Sequence, residues 1–216
     1  MYFYVYIIFL VISFLAGTTV YFQRDVKLYL RLFPLFLLLT IIVELIAAYY
    51  VRIYKSYPTT LYSLFTSFEF LFYAYALTEI INNRRMKKIF FYVAGLYLTL
   101  VILNFLFVQK TSSFTSVTYV LGSVLIVAGS IYYFYEQFQL PQSVNLARQP
   151  AFWICSGLLF YYCCGFPVYG PWNFLKSVPY FIQKNLYVFV VLLNVFLYSS
   201  FTIAFLCRLR IRKSTS

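Results

Sequence analysis

A chain of 216 residues that is 63% hydrophobic, 24% aromatic and only 10% charged lies far outside the composition of soluble domains. A formal charge of +12 would point to nucleic acid in a soluble protein, but here the cations sit at the ends of apolar runs and read as topology signals, so no nucleic-acid partner is expected. Histidine is absent, which removes the commonest general base and the commonest metal and haem ligand. Cys155, Cys163, Cys164 and Cys207 fall in or at the end of apolar runs and read as small buried hydrophobes. No catalytic residue, metal site or cofactor is expected.

The apolar runs are about twenty residues long with no steady alternation, which predicts spanning helices rather than barrel strands. The expectation is an all-α, polytopic bundle of seven transmembrane helices forming one domain over 1–216. The spans are 2–22, 28–51, 61–80, 89–109, 114–135, 151–169 and 185–207. The first lacks a basic leader and a clear cleavage site and is expected to be retained. The second carries Arg31 near its start, Pro34 in its early turns and Glu44 deep within. The third holds Glu69 near its middle, with Tyr62, Thr66, Glu69, Tyr73 and Ala76 at helical spacings of three and four, so polar and small groups share a face. It ends in the basic stretch 82–88. The fourth carries Asn104 near its far end, and the fifth has Gly122 and Gly129 with Ser116, Ser123 and Ser130, small residues suited to close helix packing. A polar connection over 136–149 leads to the sixth span. The segment 165–184 contains Pro167, Gly170, Pro171 and Pro179 among aromatics and is expected to be irregular and interfacial. The seventh span runs into a basic tail.

Lysine and arginine set the orientation. Arg24, Lys27, Arg31, Arg84, Arg85, Lys87, Lys88, Arg148, Arg208, Arg210, Arg212 and Lys213 fall on one side of this arrangement, and Arg52, Lys55, Lys110, Lys176 and Lys184 on the other. The bias predicts the N-terminus outside and the C-terminus in the cytoplasm, with Arg84, Arg85, Lys87, Lys88, Arg208, Arg210, Arg212 and Lys213 as cytoplasmic anchors.

At roughly 1.5 Å of rise per residue, Glu44, Glu69, Asn104 and Asn194 all fall in the outer half of the bilayer. An ionisable side chain at the centre of a spanning helix costs roughly 2.5 to 3.5 kcal/mol on insertion scales and is a functional candidate by default. On the seventh span Tyr187, Asn194, Tyr198 and Thr202 repeat the one-faced pattern of the third. Glu44, Glu69, Tyr73, Asn104, Asn194 and Tyr198 are therefore the candidates for a ligand- or proton-binding site, partly covered by 165–184. The competing reading is that the same groups are interhelical hydrogen-bond glue worth about 1 kcal/mol each.

Enzyme chemistry fits poorly, because Asp25 is the only aspartate and no nucleophile or metal set is evident. A rhodopsin would need a lysine in the last span, and the stretch 194–198 lacks the proline of a receptor NPxxY motif. The stretches VELIAAYY (43–50), LYSLFTSFEFLFY (61–73), FWICSGLLFY (152–161) and LNVFLY (193–198) together make a pattern that resembles a family of short, uncharacterised bacterial seven-helix membrane proteins. The resemblance covers nearly the full chain and implies a bacterial inner membrane and the same topology; it carries no activity. The functional expectation is a small sensory or ligand-binding module that signals through a separate cytoplasmic or membrane partner. The alternatives are a secondary transporter or permease for a small solute, proton-coupled through an acid, and a structural or assembly subunit. The lipid bilayer is the one partner the composition requires, and one chain leaves the oligomeric state open.

Overall fold

A computed structural model describes residues 2–23, 26–108, 116–139, 145–169 and 179–213. Seven long helices cover most of them: α1 (Tyr2–Thr18), α2 (Leu28–Tyr54), α3 (Thr59–Ile80), α4 (Arg84–Leu103), α5 (Ser116–Phe138), α6 (Pro150–Tyr169) and α7 (Tyr180–Lys213). Short 3-10 turns follow α1 at Thr19–Phe22 and precede α6 at Leu146–Arg148, and a π-turn extends α4 over Asn104–Val108. Six of the seven are long and apolar enough to cross a membrane, which makes the chain a membrane protein. The exception is α3. Its 22 residues would reach across the hydrocarbon, but Glu69, Ser63, Ser67, Thr66 and the tyrosines lower its hydropathy.

Packing explains how so polar a helix is accommodated. The helices close a ring in which α1 packs on α2, α2 on α3, α3 on α5, α5 on α6, α6 on α7 and α7 on α1, while α4 lies outside against α3 and α5. Along α3 only Leu64 and Phe68, four residues apart on one stripe, are exposed. The other residues of α3 are buried or half-buried against its neighbours. α2 behaves oppositely: Leu35, Leu38, Leu39, Ile42, Leu45 and Ile46 form a broad apolar face open to lipid.

Two aromatic clusters centre on α3. Tyr73 packs with Phe33 of α2 and Phe201 of α7 at centroid distances of 6.3 and 6.1 Å, and those two rings meet edge to face at 5.1 Å. Phe70, one position short of a turn earlier, meets Tyr97 of α4, Tyr119 of α5 and Tyr162 of α6 at 5.9, 5.5 and 5.1 Å. Such ring pairs add roughly 0.5 to 1.5 kcal/mol each beyond the area they bury. Glycine makes the approach of α5 possible, since a Cβ on Gly122 would lie 2.5 Å from the Phe70 ring. The small face of α5 is thus used inside the chain.

The helix ends differ from the expected spans in informative ways. α2 continues a turn beyond 51, to Tyr54, and stops where Lys55 turns left-handed at φ 50 and returns its N–H to the Val51 carbonyl. Pro58 then starts α3, so α2 and α3 form a tight antiparallel pair. α4 begins at Arg84 and takes in most of the stretch expected to be a loop, because Asn83 caps it: its Oδ1 accepts from the Arg85 and Met86 N–H groups at 2.9 and 3.4 Å. α6 runs through Pro167 to Tyr169, the expected end of the sixth span, whereas α7 already starts at Tyr180, so 180–184 is helical where irregular backbone was expected. The rest of that aromatic segment, 170–178, lies outside the described residues.

Candidate functional site

The extension of α2 sets the depth of the site. Glu44 lies ten residues before the end of α2 and Glu69 ten residues after the start of α3, so both sit about 15 Å from the same end of the hairpin. The Glu44 carboxyl accepts a hydrogen bond from the Tyr6 hydroxyl of α1 at 2.8 Å and a second from the Tyr62 hydroxyl of α3 at 3.1 Å, both on Oε2. Three helices are tied by one carboxyl oxygen. Glu69 is within electrostatic range of Glu44, and the hydroxyls of Tyr73 and Tyr162 are turned towards its carboxyl. Neither closes a hydrogen bond of ordinary geometry, although Tyr73 is 0% and Tyr162 1% exposed. Tyr198 of α7, also buried, is within electrostatic range of both acids.

As whole residues Glu44 and Glu69 are each half-buried. The groups around the two acids are phenols, which can donate a proton to a carboxylate or lend a lone pair to a cation. Among the described residues no three His, Cys, Asp or Glu side chains gather as they would around a metal ion.

Of the six candidate residues, Glu44, Glu69, Tyr73 and Tyr198 come together. Asn194 does not join them: it is not among the groups around either carboxyl, and its Nδ2 donates to the Val190 carbonyl of its own helix at 2.9 Å. Asn104 opens the π-turn on the helix outside the ring and is not among the groups around either carboxyl. The face expected on α7 is split as well, since Tyr187 is 39% exposed while Tyr198 is 5% exposed. Tyr6 and Tyr162 complete the site without having been singled out. With 24 tyrosines in the chain, no single one carries a signal, and the Tyr6–Glu44 contact spans 38 residues.

The basic end is built around a third acid. Glu136, in the last turn of α5, accepts from the Asn82 and Asn83 N–H groups at 2.9 Å each, one on each carboxyl oxygen. A carboxylate is disfavoured at the end of its own helix, but here it lies against the N-terminus of α4, where Arg84, Arg85 and Lys88 are exposed and Lys87 half-buried. An open recess of about 290 Å³ between α3 and α4 is lined by Thr78, Glu79, Lys87, Lys88, Phe91 and Tyr92. α7 continues to Lys213, while the side chains of Arg208, Arg210, Arg212 and Lys213 lie outside the described residues. Comparison of the chain with protein-family models, with curated proteins and with solved structures finds no match.

Proposed function

We propose that this chain is a seven-span protein of a bacterial inner membrane that binds a small ligand at the Glu44–Glu69 pair and passes the event to a separate partner. In this reading α3 is the seventh spanning helix, the N-terminus is outside, and the basic ends of α4 and α7 face the cytoplasm, as the distribution of lysine and arginine favours. No catalytic step and no resident cofactor are part of it. The observation that carries the reading is the pair of fully buried phenols, Tyr73 and Tyr162, aimed at Glu69 without closing a bond to it. Hydrogen-bond glue would satisfy those hydroxyls, because a buried unmade bond costs about 1 to 3 kcal/mol. A site that a ligand completes leaves them unmet.

Thermal unfolding of the purified protein against a panel of small metabolites tests this, since a ligand that binds only the native state must stabilise it. The expected result is a compound that raises Tm for the wild type and not for Glu69→Gln. Cysteines placed at Lys55 and at Arg85 in a cysteine-free background test the topology: an impermeant thiol reagent added to whole cells labels the first and spares the second. Two acids at mid-depth in long apolar helices also favour a second reading, a proton-coupled permease. Solute flux in proteoliposomes that is lost with Glu69→Gln would select it.

A further inference from the structure

We infer that the Glu69 carboxyl, together with the hydroxyl oxygens of Tyr73 and Tyr162, forms a binding site for a small monovalent cation. The inference rests on the ligand-binding reading and names the class of its ligand. Three oxygens from two helices converge here: Glu69 and Tyr73 one turn apart on α3, and Tyr162 on α6 with its ring centroid 6.2 Å from that of Tyr73. The two phenols are buried and unpartnered, so each retains lone pairs for an incoming group.

Charge fixes the rest of the chemistry. A buried carboxylate must be paired or neutralised. Among the described residues, the groups facing Glu69 from the elements packed on α3 are Glu44 of α2, Tyr97 of α4, Tyr119 of α5, Tyr161, Tyr162 and Tyr169 of α6 and Tyr198 of α7; every one is an acid or a phenol. Glu44 already accepts two hydroxyl hydrogens. None of these groups is a cation, so the charge of Glu69 is left for an occupant to balance. Hard cations take oxygen ligands, and one carboxylate with two neutral phenol oxygens matches the charge of a monovalent ion. The same oxygens accept the N–H groups of an ammonium ion, so an alkali-metal ion and ammonium are the two sources of one chemistry.

The test is thermal unfolding of the full chain in detergent at pH 8, with sodium, potassium or ammonium chloride compared with N-methylglucamine chloride at constant ionic strength. The expected result is a saturable rise in Tm with at least one small cation, and the salt that gives it identifies the source. Tyr73→Phe and Tyr162→Phe should each weaken the apparent affinity about tenfold, Glu69→Gln should abolish the response, and Glu136→Gln should lower basal stability while leaving the response intact. If Glu69→Gln does not fold, the tyrosine variants and direct binding of labelled sodium or ammonium decide. Equal Tm in every salt overturns the inference, as does a cation response that survives Glu69→Gln. Stabilisation by acid alone, with none from any cation, also overturns it and makes a proton the occupant. Should a neutral metabolite stabilise the wild type through Glu69 while every cation fails, the ligand-binding reading stands and the cation assignment falls.

Discussion

Replacing Gly122 by alanine puts the packing around Phe70 to a quantitative test. The added Cβ would meet Cγ and Cδ2 of Phe70 at 2.5 Å and Cδ1 at 2.8 Å, well inside the separations that carbon atoms tolerate. The ring has no room to withdraw, because Phe70 is 0% exposed and enclosed by Tyr97, Tyr119 and Tyr162. Overpacking of this kind costs about 1 to 3 kcal/mol, and the enclosure places it near the top of that range. Alanine is better than glycine in a helix by up to about 1 kcal/mol, so the net loss is about 2 kcal/mol. For a chain of this size that lowers Tm by about 4 to 8 °C. Gly95 is the internal control: it sits in α4 with nothing within 4 Å of its Cβ, so Gly95→Ala gains the propensity alone and raises Tm by about 1 to 4 °C. Thermal scans of the two variants in one detergent measure both effects. If Gly122→Ala is as stable as the wild type, the close packing of α5 on α3 is wrong.

Other consequences can be measured independently. Tyr6→Phe and Tyr62→Phe each remove one hydrogen bond to Glu44 and should cost about 1 kcal/mol singly; the double variant should cost more than the sum, because the buried carboxyl is then left without a donor. Chemical denaturation of the four proteins in a mutant cycle gives the coupling. Glu136→Ala should release the Asn82 and Asn83 amides, seen as faster hydrogen exchange at those two positions and a loss of about 1 to 2 kcal/mol in stability. Lys55→Gly should stabilise the protein by about 0.5 to 1 kcal/mol, because glycine adopts the left-handed cap of α2 without the Cβ penalty.

Much of this architecture is legible in the sequence, for a physical reason. Lipid imposes a length and an apolarity on each helix that faces it, so the runs containing Leu35–Ile46 or Val93–Ile102 announce themselves. Helix ends are set by local chemistry that hydropathy does not see. The left-handed turn at Lys55 lengthens α2 and brings Glu44 level with Glu69, while the Asn83 cap draws Arg84 and Arg85 into α4. The acids at the site are legible because charge is costly in hydrocarbon, and only five acidic residues exist to consider. Their partners are not. Depth along a helix is one coordinate, and the direction in which Asn104 and Asn194 point depends on which helices flank them. Asn194 satisfies itself on its own backbone, and Asn104 lies on the one helix outside the ring.

The shielding of α3 bears on how the protein is made. A helix on which only Leu64 and Phe68 are fully exposed has little apolar surface in the folded protein to hold it in lipid. On the nascent chain α3 emerges after α1 and α2 but before α5, α6 and α7, which later cover its polar side. The short turn at Lys55–Pro58 joins it to α2, whose broad apolar face secures the pair as a hairpin. Insertion of α3 is thus borrowed from α2, and its final position is set only when the last helix closes the ring against α1. A chain truncated after Ile80 should accordingly hold α3 in the membrane less firmly than the complete protein, a difference that alkaline extraction of the two from membranes would reveal.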